Sequence, residues 1–373
     1  MLFQKLMGKG PASMVSPSAP KTLWAWGAGY LGALGLGDGI YRSSPTQVGA
    51  LTTWSQVAAD GRSRRALKTD GTLWVWGDNT SGQLGLGDIL HRSSPVQVGA
   101  LAVWTTVALG TAHTQAIKID GTLWAWGTNT TYGTLGDGTL INRSSPVQIG
   151  TLGTWSSVTV GGTNNSALKT DGTLWSWGQS YFGPLGLGTA GPGLTCSSPT
   201  QVGTLNTWRN VSAGTNNRLA VKTDGTLWAW GRDQYGQLGL GDIINRSSPV
   251  QVGTLATWSI ASSGGDHSLA VKTDGTLWGI GRNNKGQLGL GDLVLRSSPV
   301  QIGTLANWSA LAPKSQGSLA IKTDGTLWAW GYNNGGGVGS GDGIDRSSPV
   351  QVGTLATWTG VVRGAYASLA IRA

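Results

Sequence analysis

The sequence predicts an all-β fold built from seven repeated units that close into a ring. The triplet Thr-Leu-Trp occurs seven times, at spacings of 50 to 53 residues, beginning at Thr22, Thr72, Thr122, Thr173, Thr226, Thr276 and Thr326. Glycine accounts for 62 of 373 residues and all 17 acidic residues are Asp, a composition that favours strands and tight turns. Four short strand-like segments recur in every unit. We therefore expect a seven-bladed β-propeller with four-stranded blades.

The first two strands of a unit form a hairpin. In "LAVKTDGTLWAWG" at 219–231, two strand-like runs flank Asp-Gly, which is the strongest sequence signal for a two-residue β-turn. Both tryptophans of "TLWAWG" fall on one face of the strand, while Leu and Ala fall on the other. This alternation predicts a strand with two packed faces.

The other two strands follow a Gly-rich loop and are separated from each other by a short connection. "SSPVQVG" gives a short strand with proline at its start, which suits an outer edge strand because proline cannot donate a backbone hydrogen bond. "TWSIAS" is the last strand of the unit. All 20 Trp occupy repeat positions, so we interpret them as blade packing rather than as an exposed stacking surface.

The ends of the chain are predicted to complete one blade together. The first copy, "KTLWAWG" at 21–27, has no strand before it, and the chain ends with "SLAIRA" at 368–373, which matches "SLAVKT" at 268–273. We expect two N-terminal and two C-terminal strands to share the closing blade, which removes exposed edges from the ring. Residues 21–373 then form the propeller, and residues 1–20 form an N-terminal tail.

The repeated phrases resemble a known family. "TDGTLWAWGRDQYGQLGLGD" and "RSSPVQVG" are similar to the repeats of the regulator of chromosome condensation family, and the similarity extends over residues 21–373. The resemblance implies a seven-bladed propeller. Activities in that family include nucleotide exchange on a small GTPase, chromatin binding, ubiquitin-ligase scaffolding and UV-B sensing in plants. Copies this regular look most like bacterial and phage members of the family.

The resemblance transfers no functional residue. Family members that act as exchange factors insert a wedge between blades, whereas no repeat here exceeds its neighbours by more than three residues. The photoreceptor's Gly-Trp-Arg-His-Thr phrase is also missing, since the matching segments read "GTAHT" at 110–114 and "GGDHS" at 264–268.

An aspartate and an arginine recur together in the Gly-rich loop. In most copies the Asp of "LGLGD" lies four residues before the Arg of "RSSP", as in Asp88 and Arg92. The fourth copy loses both, with Thr189 and Cys196 in their places. This joint loss predicts an ion pair within the loop. Calcium binding is disfavoured because one carboxylate per loop cannot supply six to eight oxygen ligands.

Charge and sequence variability indicate candidate binding loops. The net charge is +9, and +8 of it lies outside the repeat positions, including the cluster Arg62, Arg64 and Arg65. This excess either maintains solubility or binds an anionic partner such as nucleic acid or an acidic protein face. The most variable segment precedes the "ALKTDG" strand, and we expect its seven copies to form a recognition face near the channel. The remaining candidate residues there are His113, Asn164, Asn217, Arg218, His267 and Tyr366.

The residues do not indicate an enzyme. "GAGYLG" at 27–32 matches a dinucleotide-binding pattern but is followed by neither a helix nor an acidic residue for the ribose. His113 and His267 occupy equivalent positions in different blades, too far apart for a shared metal. We therefore predict a non-enzymatic protein with no cofactor and no metal. The lone Cys196 excludes an intrachain disulfide, and neither a membrane-spanning segment nor a signal peptide is predicted.

These observations lead to three hypotheses about function. The leading one is a protein-binding or structural module in a larger assembly, most concretely a phage virion component such as a fibre, tail or capsid decoration. The alternative is a propeller that regulates chromatin or a small GTPase, and the third is a surface adhesin. In each case a protein partner binds one propeller face or the tail, where Leu2, Phe3, Leu6 and Met7 are the candidate anchor.

Overall fold

The computed structural model describes residues 20–365 and 367–373, which form a closed ring of seven four-stranded antiparallel sheets. Each sheet is one blade, as the sequence predicts. Blade 1 follows the first N-terminal strands along the chain, and blade 7 is the closing blade. The predicted anchor residues Leu2, Phe3, Leu6 and Met7, and also Tyr366, lie outside the described residues.

The innermost strand of each blade begins at the Trp of "TW". These strands contact one another around the ring. They are β3 (Trp54–Asp60), β7 (Trp104–Leu109), β11 (Trp155–Val160), β15 (Trp208–Ala213), β19 (Trp258–Ser263), β23 (Trp308–Lys314) and β27 (Trp358–Arg363).

The second strand follows after a tight turn. In six blades it ends at the lysine that lies two residues before Asp-Gly. It is almost wholly buried, because neighbouring blades cover it on both sides. The second strands are β4 (Ser63–Lys68), β8 (His113–Lys118), β12 (Asn164–Lys169), β16 (Asn217–Lys222), β20 (His267–Lys272), β24 (Gly317–Lys322) and β28 (Ala367–Arg372).

The third strand carries the Trp-x-Trp pattern. The hairpin that joins it to the second strand is closed by Asp-Gly, and Asp70 illustrates the geometry, since its Oδ1 accepts hydrogen bonds from the Thr72 amide and hydroxyl. The third strands are β1 (Thr22–Gly27), β5 (Leu73–Gly77), β9 (Leu123–Gly127), β13 (Leu174–Gln179), β17 (Leu227–Gly231), β21 (Leu277–Gly281) and β25 (Leu327–Gly331).

The fourth strand forms the outer edge of the blade, as predicted, but its proline lies in the middle of the strand rather than at its start, as in Arg92–Gln97, where Pro95 is the fourth residue. A long loop precedes it in every blade; in blade 7 this loop holds a 3-10 turn at Tyr30–Gly32. The fourth strands are β2 (Arg42–Gln47), β6 (Arg92–Gln97), β10 (Arg143–Ile149), β14 (Thr195–Gln201), β18 (Arg246–Gln251), β22 (Arg296–Gln301) and β26 (Arg346–Gln351).

The strand that ends each sequence unit is the first strand of the next blade. Blade 1 has the order β3-β4-β5-β6, so its innermost strand comes before its "ALKTDG" hairpin. The closing blade has the order β2-β1-β28-β27, which confirms the predicted sharing of two strands from each end of the chain. In it, β1 and β28 pair over six residues, from Thr22 with Arg372 to Gly27 with Ala367.

The hydrophobic core lies between blades rather than in one central cluster. The cluster between blades 1 and 2, for example, packs Leu73 and Leu84 of one blade against Trp104 and Trp126 of the next. The Trp126 indole N–H also donates to the Gln83 carbonyl oxygen of the preceding blade, at 2.9 Å. Five other blades repeat this bond, and in blade 5 Ile280 replaces the tryptophan. The Trp positions are therefore structural, as predicted.

No helix in the described residues is long and apolar enough to cross a membrane.

Candidate functional site

Two sets of loops share one face of the ring. A four-residue segment, such as Asp60–Ser63, joins the first strand of a blade to the second. We call these segments the inner turns. The third strand ends on the same side, so the long loops between third and fourth strands also lie there. We call this side the loop face. The Asp-Gly turns lie on the opposite side, the Asp-Gly face.

The inner turns of blades 2 to 5 are hydrogen-bonded to one another. The Thr111 amide donates to Gly162 O at 3.4 Å, the Gly162 amide to Thr215 O at 3.0 Å, and the Thr215 amide to Gly264 O at 3.2 Å. Lys314 of blade 6 and Asp60 of blade 1, the two blades next to blade 7, form an ion pair with Nζ 2.8 Å from Oδ2. These contacts tie together the inner turns of blades 2 to 5 and, separately, those of blades 6 and 1, and the turns form a floor near the centre of the loop face.

A basin of about 740 Å³ lies above this floor. Inner turns line its base and long loops form its wall. The lining residues come from blades 1, 4, 5, 6 and 7 and are Ala28, Tyr30, Tyr41, Arg62, Thr215, Arg232, Gly265, Asp266, Ser315, Gln316, Tyr332, Asn334, Gly335, Gly337, Arg363 and Ala365. It has about twice the volume of the pockets between blades, which measure about 300 to 350 Å³, and it is within the size range of ligand sites.

Two tyrosine rings of blade 7 and an arginine of blade 1 form one part of the basin wall. The Arg62 guanidinium lies 5.3 Å from the centroid of the Tyr30 ring, and Tyr30 packs edge-on against Tyr41 at 5.7 Å. Tyr30 and Tyr41 are 55% and 48% exposed, so much of each ring is open to a partner. Such cation–π contacts fix the direction of an otherwise flexible arginine.

A second group of cations and aromatic rings continues through blades 4 to 6. Arg282 lies 4.7 Å from the centroid of the Tyr235 ring, and Asp266 holds the guanidinium groups of Arg232 and Arg282 at 3.6 and 3.0 Å. Lys285 lies 5.3 Å from the Tyr332 ring. The arrangement presents aromatic faces and oriented hydrogen-bond donors.

Sequence reasoning missed these tyrosines, although a signal was present. Outside the repeat positions the chain has seven Tyr, and six of them fall in the long loops that follow "TLWxWG". Those six are Tyr30, Tyr41, Tyr132, Tyr181, Tyr235 and Tyr332. Tryptophan is confined to the blades, and these six tyrosines lie on the loop face, so the two aromatic residue types separate scaffold from candidate site.

The structure places the three candidate arginines of the second strands in the interior, not in exposed loops. Arg64, Arg65 and Arg218 are fully buried. Arg218 donates to the Asn164 side-chain oxygen at 2.5 Å and to the Ser166 hydroxyl at 2.9 Å, which ties blade 4 to blade 3. Burial lowers the pKa of Arg65 and of Arg218 to about 9, and that of Arg64 to about 10. The expectation that they belong to an exposed recognition face is therefore wrong; partner binding by them stays untested.

The candidate histidines and asparagines are also interior residues on second strands. His113 contacts the Asn165 side-chain oxygen through Nε2 at 2.8 Å, and His267 contacts the Ser318 hydroxyl at 2.9 Å. Burial lowers the pKa of His267 to about 3, so its imidazole is neutral near pH 7. The side chains of Asn164 and Asn217 likewise bond to neighbouring blades. Inter-blade packing accounts for all four positions.

Of the described candidates, Arg62 alone lines the basin. It is exposed at the tip of an inner turn, where Arg64 and Arg65 point inward from the following strand. A further basin residue, Arg363, was missed because it lies in a strand. Arg363 donates to the carbonyl oxygens of Gly337 and Tyr332, both at 2.9 Å, and so fixes the loop of blade 6.

The predicted Asp–Arg pair in the long loops is confirmed. Asp88 Oδ2 lies 2.6 Å from Arg92 Nη2, and the other four pairs with this spacing measure 2.5 to 2.7 Å. Asp137 and Arg143 form a sixth pair at 3.1 Å across a longer loop. Within residues 20–365 and 367–373, no cluster of three or more His, Cys, Asp or Glu side chains could hold a metal ion.

Curated relatives match parts of the chain. The ultraviolet-B receptor UVR8 of Arabidopsis thaliana is 35% identical over 119 residues, which are 31% of this chain and 26% of the receptor. A homologue of the X-linked retinitis pigmentosa GTPase regulator from Caenorhabditis elegans is 35% identical over 86 residues, 22% of this chain and 6% of that protein. The matched region thus spans about a quarter or less of each relative.

Solved structures match nearly the whole chain in fold. Prp20p from Saccharomyces cerevisiae, described with its binding to Gsp1p and histones, has a TM-score of 0.85 and 22% identity, over 95% of this chain and 91% of that one. Human WBSCR16 has a TM-score of 0.82 and 22% identity, over 94% and 98%. At these identities the likeness shows the fold.

The hypothesis of a phage virion component is wrong. The proteins that this chain resembles are a plant light receptor, a GTPase regulator homologue and propellers from yeast and human. The regularity of the repeats, which suggested phage members, has a packing cause, because each repeated Trp and Leu meets the same partners at an interface between blades. The candidate anchor residues of the tail lie outside the described residues, so the prediction that they hold a partner stays a prediction.

The family is shown by a match over almost the entire propeller. The family model of the RCC1-like domain covers residues 22–370, which includes all seven blades. RCC1-like propellers are generally non-catalytic binders or exchange factors. Seven Trp-rich blades, a ring closed by both chain ends and this match together make the chain a member of the RCC1-like domain family.

Proposed function

We propose that this chain is a non-catalytic regulatory propeller that binds an acidic surface of a small GTPase through the basin on its loop face. The observation that carries the proposal is the basin itself, in which tyrosines and oriented arginines converge from four blades. Tyr and Arg are enriched among the residues that dominate protein–protein binding energy.

The geometry suits recognition rather than chemistry. The aromatic faces are held by edge-on and cation–π contacts, so little side-chain freedom is lost when a partner binds. Arg62 has no ion-pair partner within 4 Å in the described chain and is available to a carboxylate. An acidic patch that meets this arginine also gains the bidentate geometry that guanidinium groups offer.

The comparisons support a GTPase as the partner class. One relative is a GTPase regulator homologue, and Prp20p is described with its binding to Gsp1p. The even length of the repeats leaves no inserted wedge between blades. We therefore expect this chain to bind the GTPase even where it does not accelerate nucleotide release.

Chromatin is the second candidate, on the strength of charge. The chain carries a net charge of +9, which favours anionic surfaces, and Prp20p is also described as binding histones. A chromatin partner predicts affinity that falls steeply with salt, whereas a basin built on tyrosines retains much of its affinity at raised salt.

The test is a binding assay with small GTPases in nucleotide-free, GDP and GTP forms, run beside reconstituted nucleosomes. The triple change Arg62→Ala, Arg232→Ala and Tyr332→Ala should weaken binding to the GTPase by about 100-fold or more, since such residues contribute roughly 1–2 kcal/mol each. The matched control is Arg209→Ala, an exposed arginine at the start of β15, on the Asp-Gly face.

Loss of binding in the triple variant, with the control unchanged, supports the proposal. Retained binding in the triple variant contradicts the basin as the site. Binding to nucleosomes alone, lost on raising the salt concentration, favours the second candidate. No binding to either class in any nucleotide state contradicts both.

A further inference from the structure

Exposed aliphatic side chains lie at the rim of the loop face in all seven blades. Each belongs to a long loop and lies two positions before the Arg of "RSSP", or before Cys196 in blade 3. We call these residues the aliphatic crown, and they are Ile40, Leu90, Ile141, Leu194, Ile244, Val294 and Ile344. Leu194 is 42% exposed, and the other six are 58 to 63% exposed. The fourth strands begin within two residues of them, so the crown forms a circle around the outer part of the loop face.

The fold does not require apolar side chains at these positions. None of the seven belongs to a hydrophobic core cluster of the described residues. The residue that follows each of them is also exposed, and it differs from copy to copy, being Tyr, His, Asn, Thr, Asn, Leu and Asp in chain order. An exposed position that stays aliphatic in every copy, beside one that varies, indicates a surface that contacts a partner.

The Asp–Arg pair of the loop holds the backbone of the crown residue. In blade 1 the Leu90 amide donates to Asp88 Oδ1 at 2.9 Å, and the Leu90 carbonyl oxygen accepts from Arg92 Nη1 at 2.7 Å. Blades 4, 5 and 6 repeat both bonds, at 2.6 to 3.1 Å. Asp88 and Arg92 also bond to each other at 2.6 Å. The loop therefore presents its aliphatic side chain from a turn whose charges and backbone polar groups are already paired.

This construction favours a lipid surface as the partner. A backbone N–H or C=O group that enters the apolar part of a bilayer without a hydrogen-bond partner is costly, and in these four loops both groups of the crown residue are bonded within the loop. The crown is also a circle of separate side chains rather than a groove. A protein would need a matching set of sockets, whereas fluid acyl chains adapt to separate side chains. The net charge of +9 adds attraction to anionic headgroups.

We propose that the aliphatic crown docks the loop face of the propeller on a lipid surface. The crown side chains enter the boundary between headgroups and acyl chains, while Arg92 and its equivalents lie at the level of the headgroups. Because the basin lies inside the circle of the crown, docking covers it, and a partner in the basin and a lipid surface exclude each other. The proposal does not rest on the function assigned to the basin, since no crown residue lines that cavity.

The direct test is co-sedimentation of the full chain with vesicles made of equal parts of phosphatidylcholine and phosphatidylserine. The triple change Leu90→Ser, Ile244→Ser and Val294→Ser removes three crown side chains that are mostly exposed and lie outside the core. It should weaken vesicle binding by about 30-fold or more, because the apolar area that enters the lipid sets the affinity. An unaltered chain that stays in the supernatant contradicts the proposal.

The matched control places the same number of changes on the opposite face. Leu101→Ser, Leu152→Ser and Leu255→Ser alter side chains that are 50 to 65% exposed, in the connections from a fourth strand to the next first strand on the Asp-Gly face. This variant should bind vesicles as the unaltered chain does. Equal losses in the two variants would show general hydrophobic adsorption. A crown variant that dissociates an oligomer of this chain, with vesicle binding unchanged, would make the crown a protein interface; either result overturns the proposal.

A fluorescent label reports which face meets the lipid, and it does so without removing three side chains at once. Cys196 is the only cysteine, so Leu90→Cys in a Cys196→Ser background accepts one nitrobenzoxadiazole dye. On addition of the same vesicles the dye should brighten and its emission should move to shorter wavelength, because it leaves water. The dye at Leu101→Cys, in the same background, should not respond. A response at both positions, or at neither, refutes docking through the crown.

Discussion

At the scale of single residues, one buried carboxyl group departs from the pattern that four of the other loops follow. In blades 1, 2, 5 and 6 an asparagine closes the long loop, as when Asn283 Nδ2 donates to Asp292 O and Oδ1 at 3.0 and 2.9 Å. Blade 4 has Asp233 at this position. It keeps the bond from the Leu238 amide to Oδ1, but its Oδ2 has no partner in the described chain. The loop has therefore exchanged a donor for an acceptor next to the Asp242 carboxylate.

The charge state of Asp233 follows from this exchange. Burial, chiefly, and the nearby Asp242 carboxylate raise the pKa of Asp233 to about 7, while the bond from Leu238 and the Arg246 guanidinium act in the opposite direction. The unfolded chain has the ordinary value near 3.8. Between these values folding takes up a proton, so stability falls as the pH rises from about 4 to about 7, and the cost is complete above that range.

The variant Asp233→Asn should remove this cost. The amide restores the donor to Asp242 and carries no charge, so we expect stabilisation by roughly 2–4 kcal/mol at pH 8, and by less than about 1 kcal/mol at pH 4. Urea unfolding of both proteins across pH 4 to 8 measures the difference. The reverse change in blade 5, Asn283→Asp, should create the same pH-dependent loss. A pH-independent effect of Asp233→Asn would rule out titration of this carboxyl group.

Residue positions were also where sequence reasoning was weakest. Arg64, Arg65, His113 and Arg218 vary between copies, and variable polar residues usually lie in solvent-exposed loops. Here they lie at the start of the second strand, where Arg65, His113 and Arg218 bond to a neighbouring blade and Arg64 bonds to backbone oxygens of its own turn. A single sequence does not reveal which polar residues meet across a ring, so variability alone could not separate this layer from the basin.

At the scale of elements, the long loop depends on glycine at the point where it meets the next blade. Gly85 has φ +74°, and a Cβ there would lie 2.6 Å from the indole nitrogen of Trp126. The neighbouring blade is thus fitted against bare backbone. Gly99 has a similar φ of +62° but no atom within 4 Å of an added Cβ. Substitution at Gly99 therefore tests backbone strain alone, whereas substitution at Gly85 tests backbone strain together with inter-blade packing.

We predict that Gly85→Ala is much more destabilising than Gly99→Ala. The second change should cost about 1 kcal/mol, from the left-handed backbone alone. The first adds the displacement of a fully buried tryptophan and its hydrogen bond, so we expect about 3 kcal/mol or more in the free energy of unfolding. Equilibrium denaturation of the two variants provides the comparison, and equal losses would show that the inter-blade contact adds nothing.

The elements themselves were well predicted, for a physical reason. Strand alternation, the Asp-Gly turn and the Asp–Arg pair are local features, and local chemistry fixes them in every copy. The basin is different, because Tyr30, Arg232 and Tyr332 come from three blades and meet only when the ring closes. The segregation of tyrosine into the long loops was visible in the sequence, but which of those loops meet was not.

At the scale of the whole molecule, the stability of the propeller depends on the strands at both chain ends, because they form the closing blade together. Strand β28 lies between β1 and β27 and pairs with both of them. Leu369 and Ile371 are at most 1% exposed, and they belong to the core cluster shared by blades 7 and 1. The last six residues of the chain therefore link the first strand of the protein to its last blade.

Deletion of residues 368–373 should consequently cost far more stability than deletion of residues 1–19. The C-terminal deletion removes the middle of the closing blade, and with it the pairing of both chain ends and two core side chains. Each of these side chains alone contributes roughly 2 kcal/mol of burial, so the loss is comparable with the 5–15 kcal/mol that stabilise a typical domain. The N-terminal deletion ends before Thr22, where β1 begins, and leaves the 28 strands of the described residues intact. Thermal unfolding should show a large decrease in Tm, or no cooperative transition, for the first deletion and a change of a few degrees at most for the second. A pull-down with the second variant also tests whether the tail anchors a partner. Similar Tm values for the two deletions would mean that the ring is stable without its closing strand pair.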